Sequence, residues 1–144
     1  MRTLTAEEIR EVLERNGVGV LTFDGGKYPY PVPVGFGYDP ETDLFVVQLE
    51  GGDDSYKKRC LSRNANVGFT VYEESEPGRW RSVILRGEMI EISYQDAEAA
   101  FAALARNAQG APNPLLWDGL SESSELTPYQ LKAKKASGRE FTNA

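Results

Sequence analysis

At 144 residues the chain is long enough for one domain built around one core. Its 16 Lys+Arg against 22 Asp+Glu give a formal net charge of -6, which disfavours nucleic acid and anionic membrane surfaces, and no apolar run approaches the roughly 20 residues that cross a bilayer. With no histidine and a single cysteine, Cys60, it can build neither the usual zinc sites nor Ser-His-Asp or Cys-His catalysis, so any chemistry falls to carboxylates, lysines, tyrosines or a borrowed cofactor.

The opening, "MRTLTAEEIREVLERN", reads as a charged amphipathic helix and not as a signal sequence, so a cytoplasmic protein is expected. Thr5 and Glu8 form a capping box, Ile9, Val12 and Leu13 fall on one face, and Gly17 ends the helix, which spans about Thr5 to Asn16. "VGVLTF", Val18 to Phe23, is β-branched and aromatic and reads as a strand; "DGGK" is a turn, and "YPYPVPVGFGYD" resumes as its extended partner. Pro29, Pro31 and Pro33 stand at every second position of that partner, so their missing donors point to one side. That flank must face something other than a paired strand, either solvent or a ligand.

"LFVVQLE", Leu44 to Glu50, is a third strand, and "GGDD" leads into a short helix that Asp54 or Ser55 can cap, with Tyr56, Cys60 and Leu61 on its inward face. "NVGFTVYE" and "WRSVILRGEMIEI" are two more strands joined by "ESEPGR". A helix from about Ser93 to Arg106 carries Ala97, Ala100, Phe101, Leu104 and Ala105 on one face, "NAQGAPNPLLWDGLSESS" is a loop, and "ELTPYQLKAKKASGRE" contains a last strand or an extended tail. Short hairpin connections between most strands exclude a doubly wound parallel sheet. The expected fold is therefore mainly β, a six-stranded antiparallel sheet closed into a small barrel with helices packed outside, as one domain over 1–144.

The run Lys57, Lys58, Arg59 is conspicuous in an acidic chain. Alone it reads equally well as a solvated helix face. Its place in the first turns of a helix that follows a Gly-Gly-Asp-Asp loop adds free backbone N–H groups and the positive end of the helix dipole, to which Ser55 contributes a hydroxyl. The pattern suits a phosphate.

The ordered segments "GVGVLTFDGGKYPYPVPVGFGYD", "LFVVQLEGGDDSYKKRCLSRNANVGFTV" and "WRSVILRGEMIEI" resemble the pyridoxamine 5'-phosphate oxidase-like split barrels that bind flavin mononucleotide (FMN), especially the small members of the nitroimidazole-resistance and general-stress type. The resemblance covers about Thr5 to Ile92, and "YQLKAKKASGRE" looks like the family's final strand. It implies a split β-barrel, FMN as cofactor with the deazaflavin F420 as the alternative, and a homodimer with flavins at the interface and a small-molecule substrate. It places Pro33, Val34, Gly35 and Phe36 along the flavin edge, Ser55 and Lys57 on the phosphate with Lys58 and Arg59 as neighbours, and Trp80, Arg81 and Ser82 on the wall supplied by the partner. Many relatives carry histidine where this chain has Glu50, and the C-terminal arginine and histidine with which pyridoxamine phosphate oxidases hold substrate are not recognisable. The implied function is that of a flavin-dependent oxidoreductase with no catalytic residue nameable from sequence, the alternative being a flavin-binding module without turnover.

Overall fold

The structure, a computed structural model, describes residues 1–93, positions 95, 96, 98, 99, 102 and 105, and residues 126–143. A short strand β1 (Arg2–Thr3) precedes the first helix α1 (Ala6–Arg15), which begins at the expected capping box: Thr5 accepts from the Glu8 N–H at 3.2 Å, and the Glu8 carboxylate accepts from the Thr5 N–H at 3.0 Å. Val12 and Leu13 are buried on its inner face and Ile9 packs beside them.

Five strands follow, β2 (Val18–Phe23), β3 (Tyr30–Asp39), β4 (Leu44–Glu50), β5 (Asn66–Glu76) and β6 (Arg79–Glu91), with the second helix α2 (Tyr56–Arg63) between β4 and β5, and the chain closes with β7 (Leu126–Thr142). The order is β1-β7-β4-β3-β2-β5-β6 with a further β7–β6 pairing, every pair antiparallel. Strands β2 to β7 thus form a closed six-stranded barrel, and β1 is an extra strand laid on β7.

Two elements run longer than their sequence suggested. The loop expected at "ESEPGR" is a tight turn, because Gly78 takes φ +79° and lets β5 and β6 pair as far as Glu76 and Arg79. The final segment is a strand of 17 residues that closes the barrel, pairing with β4 from Leu126 to Gln130 and with β6 from Tyr129 to Thr142. Past Gln130 it leaves β4, and there the barrel is split. Within the expected third helix the described positions from 95 onward are helical, Ser93 is not, and Ala105, assigned to its inward face, is exposed. Ala97, Ala100, Phe101 and Leu104, and the loop after that helix, lie outside the described residues.

Strand period decides what fills the barrel. Phe23, Phe36, Phe45, Val47, Leu49, Phe69, Val71, Val83 and Leu85 point inward, and all are nearly or wholly buried. At the centre the Phe36 ring stacks on Phe45 at 5.0 Å, and both meet the edge of Phe69, at 5.2 and 5.0 Å.

Candidate functional site

The prolines of β3 divide the strand into two halves. The Phe36 N–H donates toward β2, to the Gly17 carbonyl at 3.0 Å, so even-numbered residues aim their N–H at β2 and Pro31, Pro33 and Gly35 face the opposite flank. There β4 pairs only from Gly35 onward, opposite Gln48, and among the described residues Tyr30 to Val34 have a single neighbouring strand, β2. The missing donors of Pro31 and Pro33 therefore break no ladder. The flank stands free over the first half of the strand alone; Gly35 is paired on both sides, and from there to Asp39 the register partner is β4. Of the four residues expected along a flavin edge, Val34 and Phe36 send their side chains into the core, at 4% and 0% exposure, and offer only backbone. Pro33 and Gly35 belong to the outer face.

Helix α2 begins beside that free flank. Gly51, at φ +120°, turns the chain out of β4, and a Cβ there would lie 3.0 Å from the Ser55 Cβ, so glycine is needed on both counts. Ser55 is the N-cap; its Oγ accepts from the Lys58 N–H, which leaves its own O–H to donate elsewhere. Tyr56, expected on the inward face, is 42% exposed. Its ring meets the face or edge of Tyr30 at 4.8 Å and its hydroxyl donates to the Gly25 carbonyl at 3.0 Å, so it fastens the start of the helix to the start of β3 instead of entering the core. Cys60 and Leu61 do pack inward.

The three consecutive cations have three surroundings. Lys58 is 8% exposed, and its Nζ donates to Thr127 Oγ1 at 2.7 Å with Asp53 at 3.9 Å, tying the helix to β7. Arg59 is exposed over the Tyr56 ring at 5.6 Å. Lys57 is half-buried and has no hydrogen bond or ion pair among the described residues. Glu50 is exposed at the end of β4.

The run Trp80, Arg81, Ser82 splits between the two faces of β6. Arg81 turns inward beneath α1, where Nε donates to Glu140 at 3.0 Å and Nη2 to Glu8 at 3.2 Å, with Glu11 at 3.7 Å. Arg2 donates to the same Glu8 and Glu140, at 2.7 and 3.0 Å. These bonds hold the Glu8 carboxyl down at about 2, chiefly through Arg2 and then the Thr5 N–H, and lower Glu140, chiefly through Arg81. Arg81, expected on a flavin wall, is therefore committed to carboxylates of its own chain. Trp80 and Ser82 face outward, on the face that holds Pro33 and Gly35. Along the sheet they lie three strands from β3, about 14 Å at the usual strand spacing of about 4.8 Å.

That outer face carries Val18 at 42%, Tyr72 at 65%, Ile84 at 46% and Phe141 at 44% exposure, with the Tyr72 and Trp80 rings 6.4 Å apart. Sequence reasoning missed this surface, although the alternation of each strand contained it. Buried phenols offer no base: burial first, and then the bond donated to Asp43 at 2.7 Å, push Tyr38 up to about 12, and burial also raises Tyr129. Among the described residues no group of His, Cys, Asp or Glu is placed to hold a metal ion, and no helix is long and apolar enough to cross a membrane.

The sequence profile of the pyridoxamine 5'-phosphate oxidase family matches residues 5–140. The chain belongs to that family. No curated protein matches it. Among solved structures, an FAD-binding protein from Mesorhizobium loti superposes with a TM-score of 0.73 at 23% identity, over 98% of each chain. An FAD-binding protein from Mycobacterium smegmatis gives 0.65 at 17% identity, over 99% of this chain and 100% of the other. A heme-binding protein from Mycobacterium smegmatis gives 0.71 at 19% identity, over 99% of this chain and 59% of the other. At these identities the likeness is one of fold.

Proposed function

We propose that the chain is an FMN-binding oxidoreductase that works as a homodimer on a small-molecule substrate. The observation that carries this reading is the free proline flank of β3, joined to the capped start of α2 by the contact of Tyr30 with Tyr56, and Lys57, half-buried in the first turn of that helix, without a hydrogen bond or ion pair among the described residues. A planar ring can lie along backbone that no strand covers. A phosphate at the helix start gains the exposed N–H groups, the Ser55 hydroxyl and the Lys57 ammonium. Lys58 positions the helix through Thr127. The flavin supplies the redox step; the chain's residues bind its phosphate, orient its ring and shield one side of it.

The exposed apolar face of β2, β5, β6 and β7 supports the dimer, since Val18, Tyr72, Ile84 and Phe141 gain by meeting a second copy. Pairing would also let the partner's Trp80 and Ser82 approach the ring, since on the same chain they stand three strands from β3. FAD, the ligand of two similar structures, would share the phosphate contacts and F420 is a further alternative; a module that binds flavin without turnover uses the same site. Heme held by histidine is disfavoured, because the chain has none.

The test is a titration by flavin fluorescence quenching. Lys57→Ala is expected to weaken FMN about 10- to 150-fold, the usual value of one charge-assisted contact, and to leave riboflavin, which lacks the phosphate, almost unchanged. Arg81→Gln should leave both affinities within about threefold, as its partners lie under α1. Equal weakening of riboflavin and FMN by Lys57→Ala would make the phosphate assignment wrong. Mass spectrometry of the small molecule released on denaturation separates FMN, FAD and F420.

A further inference from the structure

The outer face changes character one row beyond Ile84. By register Pro31, Thr22, Gly68, Arg86 and Lys135 form a single row across β3, β2, β5, β6 and β7. Next to it the β6–β7 register slips between Arg86 and Gly87: Arg86 pairs with Lys135 and Gly87 with Ala133, so Lys134 is an extra, bulged residue. The bulge depends on glycine, because a Cβ at Gly87 would lie 2.1 Å from the Lys132 carbonyl oxygen. Around it lies a hollow of about 430 Å³ lined by Thr22, Asn66, Gly68, Arg86, Lys134 and Lys135, together with Val67 and Gly87.

The hollow has the chemistry of an anion site. Arg86, Lys134 and Lys135 stand around it without a hydrogen bond or ion pair among the described residues, in a chain whose net charge is -6. Thr22 and Asn66 add neutral donors, and among the described residues no carboxylate lines it. On the same face Glu88 stands one row further, between Asn66 and Lys132, outside the lining. The floor is left clear at Gly68, where a Cβ would find nothing within 4 Å. The volume falls within the range of small-molecule sites, and it suits a molecule that carries a phosphate better than a bare ion.

We propose that this hollow binds the phosphate of a phosphate-bearing small molecule, at a site separate from Lys57 and α2. Arg86 supplies a planar fork for two oxygens, and Lys134 and Lys135 complete the charge from the bulged strand. The site does not depend on the flavin reading, since none of its residues belongs to α2 or to the proline flank.

The probe is inorganic pyrophosphate, titrated into the purified protein at constant ionic strength and followed by calorimetry. Saturable binding is expected, weakened about tenfold by Arg86→Gln and by Lys135→Gln and unchanged in Lys57→Ala. Gly68→Val should abolish it by filling the floor, while its thermal unfolding temperature stays at or above that of the parent, because a β-branched residue replaces glycine in a strand with room for it. FMN affinity should be unaffected in Arg86→Gln. Absence of saturable binding would overturn the proposal. So would binding that survives Arg86→Gln and Gly68→Val, or binding lost in Lys57→Ala, which would place the anion at α2.

Discussion

The two faces of the same strands obey different rules. On the inner face Phe36, Phe45 and Phe69 fill one another's gaps, and the half-buried Arg81 beneath α1 meets the carboxylates of Glu8 and Glu140. Outside, Pro31 and Pro33 face a flank that β4 does not pair, large apolar side chains are exposed, and Lys57, Arg86, Lys134 and Lys135 have no carboxylate partner among the described residues. Trp80, Arg81 and Ser82 make the contrast within one tripeptide: the arginine is consumed by stability while its neighbours remain available. An unpartnered group on an ordered scaffold costs little when it faces water, and it gains only when a ligand or a second chain arrives. Function is therefore to be sought on the outer face.

The largest test of this contrast is inside. Phe36→Ala removes a ring with 0% exposure from the centre of the aromatic cluster and should cost about 3–5 kcal/mol in denaturant unfolding. A loss under about 1 kcal/mol would mean that the inner face is loosely packed and that the contrast fails. On the outer face Ile84→Asp should cost little stability and act on association: the parent is expected to sediment as a dimer at micromolar concentration and the variant as the 16.0 kDa monomer. A parent that sediments as a monomer would remove the reason given for its exposed apolar rows.

The smallest effect is electrostatic. Glu8 is held at about 2 against an ordinary value of 4.5, so its bonds to Arg2 and Thr5 stabilise the fold fully above the ordinary carboxylate range. That contribution is lost as pH falls from about 4.5 to about 2. Thermal unfolding of the parent and of Glu8→Gln should differ at pH 6 and converge on acidification. A gap that widened toward low pH would contradict the inward assignment of this network.

Much of the fold was legible because its signals are local. The capping box at Thr5 and Glu8, the end of α1 near Asn16, the strands from Val18 to Phe23 and Leu44 to Glu50, and the Ser55 cap all follow from a few neighbouring residues. Of the candidate site, Ser55 and Lys57 could be singled out, since a helix start needs only short-range information. Tyr56 was misplaced because its position depends on Tyr30 and Gly25, which are distant in sequence. The carboxylate partners of Arg81, expected from the family resemblance on a flavin wall, could not be foreseen because they come from α1 and from the last strand.

What the sequence determined by itself was the set of strands, their two-residue alternation, the capped helices and the absence of histidine chemistry. Alternation states that neighbours oppose one another; it does not state which side is enclosed. Tertiary structure alone decided that, by closing the barrel through β7, and with it that Val34, Phe36 and Arg81 are interior while Pro33, Trp80 and Ser82 are exterior. It also decided which cations lack partners, because an ion pair depends on distance in space and the residues that neutralise Arg81 lie 73 and 59 positions away along the chain.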